Sequence, residues 1–107
     1  MSVQINVEKA KFVAPAPHGF TVYTKPGCSF CTKVKDLLKK RRVPVIVVEC
    51  EDYLLEDKEG FLSFIQRHAG GKSWRTFPIV FYAGNFVGGY TDTEHWFAKN
   101  DAFQEIL

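Results

Sequence analysis

Residues Phe20 to Thr24 read Phe-Thr-Val-Tyr-Thr, a β-branched and aromatic run that predicts a strand. Lys25-Pro26-Gly27 is turn chemistry. From Ser29 to Arg42, the positions Phe30, Cys31, Val34, Leu37, Leu38 and Arg41 recur at three- and four-residue steps with charges between them, the spacing of an amphipathic helix. Val43-Pro44 ends it, and Val45-Ile46-Val47-Val48 is a continuous apolar run of the kind buried in a parallel sheet. Glu56 to Ala69 carries Phe61, Phe64, Ile65 and His68 at helical spacing, stopped by Gly70-Gly71. Phe77 to Tyr82 predicts a third strand, Ala83-Gly84-Asn85 a tight turn, and Phe86-Val87 a short fourth strand broken by Gly88-Gly89. Thr93 to Leu107 sets Trp96, Phe97, Phe103 and Ile106 on a helical pattern. A βαβ unit followed by a ββα unit implies an α/β fold, a mixed four-stranded sheet with helices on both faces.

Ahead of this core, the first dozen residues alternate weakly, the pattern of an added edge strand, and Ala14-Pro15-Ala16-Pro17-His18-Gly19 separates them from the strand at Phe20. The expected organisation is an N-terminal extension over 1–19 and one domain over 20–107. A chain of 107 residues suffices for one such domain and needs no staples. Fourteen basic against twelve acidic residues leave a charge of +2, too balanced to argue for nucleic acid or an anionic membrane. The dense run Lys39-Lys40-Arg41-Arg42 closes a predicted helix, where cations suit the negative end of the dipole. No signal-peptide pattern opens the chain and no apolar run approaches the roughly 20 residues of a membrane span. Three cysteines, Cys28, Cys31 and Cys50, do not make a secreted disulfide framework, so the expected setting is reducing and cytoplasmic.

Cys28-Ser29-Phe30-Cys31 falls where the first strand gives way to the first helix. There Cys28 sits at the N-cap, beside amide groups with no intrahelical partner. Those donors, the positive helix end and Lys25 favour a thiolate and lower the pKa below the ordinary ~8.5. Cys31, one turn inside, is expected to be more buried and to act second. An exposed thiolate that attacks a disulfide, with a second thiol in reach, is what thiol–disulfide exchange requires. A zinc knuckle needs four ligands, and neither Cys50 nor His18, His68 and His95 supplies the spacing, so no metal site is expected. Thr76-Phe77-Pro78 places a proline at the mouth of a strand, which suits an edge or a cis bond. A cis Pro78 would turn the Phe77 backbone toward the cysteines, where an extended substrate could pair like an added strand; an ordinary trans proline is the alternative. Gly88-Gly89-Tyr90-Thr91-Asp92 combines glycines for a sharp turn with Thr91 or Asp92 as helix caps, and such a helix start suits a carboxylate.

These three segments, in this order, resemble the glutaredoxin family of the thioredoxin-like fold group, from about Phe20 to the C-terminus. The Gly88 to Asp92 stretch with Trp96 is similar to small bacterial and phage-type members that serve ribonucleotide reductase. The resemblance implies a monomeric oxidoreductase that reduces protein disulfides and glutathione mixed disulfides, with glutathione as reducing co-substrate and ribonucleotide reductase among its partners. It implies Cys28 as nucleophile and Cys31 as resolving thiol. Lys25 would help hold the glycine carboxylate of glutathione, and Phe30 would line the groove. The backbone at Thr76, Phe77 and Pro78 would pair with the cysteinyl part. Thr91 and Asp92 would bind the γ-glutamyl end, with Tyr90 walling the same groove and Arg75 a weaker carboxylate candidate. Cys-Ser-Phe-Cys departs from the usual Cys-Pro-Tyr-Cys, and the loop from Gly70 to Arg75 is longer than usual.

The same residues admit two other readings. One is a donor reduced directly by thioredoxin reductase, against which Lys25 and Asp92 argue because they fit glutathione's charged ends. The other is a [2Fe–2S] cluster bridged between two protomers with glutathione, since some relatives with Ser after the first Cys do this and thiolates are the expected ligands. Cys50 reads as a structural, half-buried thiol.

Overall fold

The computed structural model describes residues 11–106, the side chains of residues 101–106 excepted. Four strands, β1 (Phe20–Thr24), β2 (Val45–Glu49), β3 (Ile79–Tyr82) and β4 (Asn85–Gly88), alternate with three helices, α1 (Ser29–Arg41), α2 (Glu51–His68) and α3 (Tyr90–Ile106). The sheet order is β2-β1-β3-β4, with β1 parallel to β2 and antiparallel to β3, and β3 antiparallel to β4. This is the expected mixed sheet, and every residue of β1 is buried at its centre.

Alternation along β1 divides the core. Phe20 and Val22 meet Val34 and Leu38 of α1, Val80 of β3 and Phe97 of α3, whereas Tyr23 meets Val48, Cys50 and Phe61, Ile65 of α2. Each fully buried Val, Leu or Phe among them contributes roughly 1.5–3 kcal/mol. In α1 the buried positions are Cys31, Val34 and Leu38, and the helix closes on Lys39, Lys40 and Arg41 with Arg42 in the left-handed region (φ 57°) as its C-cap. The basic run thus occupies the last turn, as its dipole argument requires.

Four expectations change. The apolar run of β2 does not lie in a buried strand. The parallel pairing is present, but β2 is the outermost strand, and Val45, Ile46 and Val47 remain 39%, 50% and 40% exposed while only Val48 is buried. The second helix starts at Glu51 rather than Glu56, because a kink divides it. Asp57 leaves helical geometry (φ −159°, ψ 68°) and its carboxylate accepts from Gly60 N at 3.1 Å, which caps a second helical run carrying Phe61, Phe64 and Ile65. Apolar periodicity reveals only that second run. The third strand begins at Ile79, since Pro78 has no N–H for the ladder. The last helix begins at Tyr90, three residues before the apolar pattern does, for a reason that belongs to the site.

The candidate edge strand in the first dozen residues falls outside the described residues through residue 10, and residues 11–13 form no strand. Residues Phe12 and Val13 lie on α2 instead. The Phe12 ring packs on Tyr53, Phe61 and Phe64 at 5.0–5.5 Å between centroids. The buried Tyr23 hydroxyl donates to Val13 O at 2.7 Å, and Val13 N donates to Tyr53 Oη at 3.1 Å. Lys11 Nζ reaches Asp57 at 2.8 Å. Phe103 and Ile106, placed on the core face by periodicity, have side chains outside the described residues. No described helix is long and apolar enough to cross a membrane.

Candidate active site

Cys28 ends the turn after β1 and is the N-cap of α1, with extended backbone (φ −109°, ψ 102°). Its Sγ accepts a hydrogen bond from the Cys31 amide at 3.2 Å. An amide of the first helical turn is therefore aimed at the sulfur, which stabilises negative charge there once the disulfide is reduced and the thiol deprotonates. Cys31 is 2% exposed, whereas Cys28 is half-buried. The two are joined as a disulfide with Cα atoms 5.2 Å apart, so the structure is the oxidised state. The unequal exposure leaves Cys28 the more accessible sulfur and Cys31 buried behind it.

The remaining pieces come from three distant segments. Lys25, exposed in the β1–α1 turn, holds its Nζ 5.6 Å from the centre of the Phe77 ring. Phe30, half exposed, lies 6.0 Å from the Tyr90 ring, and Lys33 Nζ sits over both rings at 4.9 and 5.9 Å. The Phe77–Pro78 peptide is cis, the first of the two alternatives for that segment. At the start of α3, Asp92 Oδ2 accepts from Gly89 N at 2.9 Å, and Thr93 Oγ1 donates to Gly89 O at 2.8 Å. Asp92 thus caps the helix from inside its first turn, reaching back to the N-cap residue. Thr91, the other capping candidate, is exposed. This backward cap is why α3 starts at Tyr90, ahead of its apolar pattern.

Gly88 makes that cap possible. Its φ of +130° is open to glycine, and a Cβ there would fall on the Asp92 carboxylate. Tyr90 Oη donates to Glu94 Oε2 at 2.9 Å, and this bond holds the phenol above its ordinary pKa.

Seven of the eleven residues given a site role in the sequence, Phe30, Thr76, Phe77, Pro78, Tyr90, Thr91 and Asp92, line one groove of about 380 Å³. Cys28 and Cys31 stand at the helix end that carries Phe30, and Lys25 reaches in from the turn beside Phe77. Two further depressions, of about 350 and 520 Å³, lie around Tyr82 and Trp96. Neither includes a residue of the segment from Cys28 to Cys31, whereas Phe30 of that segment lines the groove, so the redox chemistry directs attention there. Arg75 is not part of it: its guanidinium is engaged by Glu59 through two bonds of 3.2 and 2.9 Å, which also hold the Glu59 carboxyl below its usual range. Trp74, which sequence reasoning missed, does line the groove, together with Gly89. One signal pointed to it: a tryptophan, of only two in the chain, directly ahead of Arg75-Thr76-Phe77-Pro78.

Cys50 is fully buried at the start of α2, and its thiol donates to Val48 O at 3.5 Å. Burial pushes its pKa from an ordinary 9.0 up to about 12, which makes it a poor nucleophile.

The glutaredoxin family model matches residues 20–87. The mitochondrial glutaredoxin-2 of Pongo abelii is 39% identical over 72 residues, 67% of this chain; the chain spans 42% of that longer protein. Among solved structures, the holo form of glutaredoxin C1 from Populus tremula x tremuloides matches with a TM-score of 0.65 at 27% identity, over 94% of this chain and 86% of that one. A buckwheat glutaredoxin–glutathione complex matches with a TM-score of 0.62 over 91% of this chain and 83% of that one; at 23% identity it speaks for the thioredoxin-like fold alone. The chain belongs to the glutaredoxin family.

Proposed function

We propose that this member of the glutaredoxin family is a glutathione-dependent thiol–disulfide oxidoreductase, with Cys28 as nucleophile and Cys31 as resolving thiol. The observation that carries the reading is the placement of Cys28 Sγ on the first-turn amide of α1 while Cys31 lies buried behind it. With a protein disulfide, the Cys28 thiolate attacks one sulfur, forms a mixed disulfide and releases the other sulfur as a thiolate, which takes up a proton. Cys31 then loses its proton and attacks Cys28 Sγ; the substrate leaves as a dithiol and the Cys28–Cys31 disulfide remains. Two glutathione thiols return that disulfide to the dithiol and leave as glutathione disulfide. With a glutathionylated protein, Cys28 attacks the glutathione sulfur, the protein thiol departs, and a second glutathione regenerates Cys28 without Cys31.

Glutathione is the reductant that suits the groove. Its glycine carboxylate would face Lys25, and its γ-glutamyl ammonium would face Asp92 and Thr91. Its cysteinyl backbone would run along Thr76, Phe77 and Pro78, between Phe30 and Tyr90. The buckwheat relative, which shares the fold, was solved as a glutathione complex. We extend the reading to a reducing, cytoplasmic setting and to protein disulfides that include that of ribonucleotide reductase.

The test is glutathione-coupled reduction of a mixed disulfide and of a protein disulfide by wild type, Cys28→Ser and Cys31→Ser. Cys28→Ser is expected to lose both activities. Cys31→Ser is expected to lose protein-disulfide reduction and keep deglutathionylation. Full activity in Cys28→Ser overturns the assignment, and turnover with thioredoxin reductase but not with glutathione overturns the choice of reductant.

A further inference from the structure

Trp74 is the groove residue that the glutathione reading leaves without a task. It comes from the connection between α2 and β3, stands edge-on to Phe86 at 5.2 Å, and lies under Lys72 Nζ at 5.7 Å. A Cβ at Gly89 would meet its Cζ2 at 3.5 Å, an ordinary contact distance, so the indole lies directly beside the start of α3. Its Nε1 is buried and has no hydrogen-bond partner among the described residues. A buried donor left unpaired is unfavourable and calls for a partner.

The groove that Trp74 joins is apolar and aromatic. Phe30 arrives from α1, Phe77 and Pro78 from the approach to β3, and Tyr90 from α3. The carboxylate that lines it, Asp92, is already bonded to Gly89 N, and the Tyr90 hydroxyl is turned to Glu94. Glutathione would pass between Phe30 and Tyr90 but carries no large apolar side chain to pack on these rings or on Trp74. An extended peptide with such a side chain would pack against them.

We propose that Trp74, with Phe30 and Tyr90, forms an aromatic slot that selects disulfide substrates carrying a large apolar side chain next to the half-cystine. The occupant is an extended segment of the substrate protein, continuous with the sulfur that Cys28 attacks. The proposal deepens the oxidoreductase reading and rests on it for the identity of the occupant.

Two symmetric peptide disulfides, identical except for Phe or Ser beside each cysteine, test it. Wild type is expected to favour the Phe peptide in kcat/KM on the order of tenfold, the size of one good aromatic contact. Trp74→Phe, which keeps a ring, should retain most of that preference, and Trp74→Ala should bring the ratio close to one. Because each variant serves as its own reference, a general loss of activity does not affect the ratio. Equal kcat/KM for the two peptides in wild type, or an unchanged ratio in Trp74→Ala, overturns the proposal. A second arm needs no turnover: the oxidised protein is titrated with the two peptides as S-methyl thioethers while the Trp74 indole N–H resonance is followed, assigned with Trp74→Phe. The Phe peptide should shift it saturably and the Ser peptide should not; no shift, or equal shifts, overturns the slot. If that resonance responds as expected while no disulfide is reduced with glutathione, the slot stands and the glutathione-dependent reading falls.

Discussion

Raising the pH should destabilise this protein through Cys50, and replacing Cys50 by Ala should remove that part of the sensitivity. The thiol is fully buried between β2 and α2, and burial raises its pKa from 9.0 to about 12. The folded value lies above the unfolded one, so the stability held in the neutral thiol is complete below about pH 9 and is lost as pH rises toward 12. Each pH unit in that window removes about 1.4 kcal/mol, since the unfolded chain releases a proton that the folded chain keeps. At pH 10.5 the loss relative to pH 7 comes to about 2 kcal/mol, one and a half units at that slope. Cys50→Ala removes the sulfur's packing at every pH, roughly 1 kcal/mol for so small a deletion. Wild type should therefore be the more stable protein at pH 7 and the variant at pH 10.5. Urea denaturation of the oxidised protein under anaerobic conditions reads this cleanly, because Cys28 and Cys31 are bonded and cannot titrate. Tyr23, whose phenol is raised chiefly by burial and further by the neighbouring Cys50, also weakens the protein at high pH and loses part of that effect in the variant, so the difference between the two proteins reports Cys50 together with its coupling to Tyr23. A difference that stays constant from pH 7 to 10.5 would refute the reasoning.

Gly88→Ala forces an L side chain to a φ of +130° and drives its Cβ onto the Asp92 carboxylate, so it should destabilise by about 2 kcal/mol or more and raise the KM for glutathione. Thermal denaturation and steady-state kinetics check the two effects together, and a wild-type midpoint would show that the Asp92 cap tolerates crowding. Arg75→Ala should leave both the denaturation midpoint and the glutathione KM unchanged, because the exposed guanidinium serves Glu59 and not the groove. A clear rise in KM would return Arg75 to the site.

The sequence was most readable where local chemistry and burial agreed. β1 and α1 stand where their patterns set them, because every residue of β1 is inside and the α1 stripe of Cys31, Val34 and Leu38 meets it. The four apolar residues of β2 misled, since apolar continuity reports affinity for a core and not the position of a strand in the sheet order. The first turns of α2 and α3 were invisible to periodicity. α2 opens on Glu51-Asp52 with no side-chain cap, and α3 opens on Tyr90-Thr91-Asp92, whose helical state rests on the bond from Gly89 N to Asp92. In the groove, residues belonging to short motifs could be named in advance, whereas Trp74 could not. Its place depends on contacts with Phe86 and with the start of α3 at Gly89, twelve and fifteen residues on, so its position just ahead of the Thr76-Phe77-Pro78 motif was the one local hint.

The contacts of Phe12 and Val13 bear on how small a working version of this protein can be. A chain begun at Phe20, where the family match starts, would keep all four strands, both active cysteines and the whole groove. It would also uncover the side of Phe61 and Phe64 that Phe12 shields, and strand the buried Tyr23 hydroxyl without the Val13 carbonyl. Trimming to the recognisable motif would therefore trade a tidy surface for an adhesive one, with its chemistry intact and its shelf life shortened.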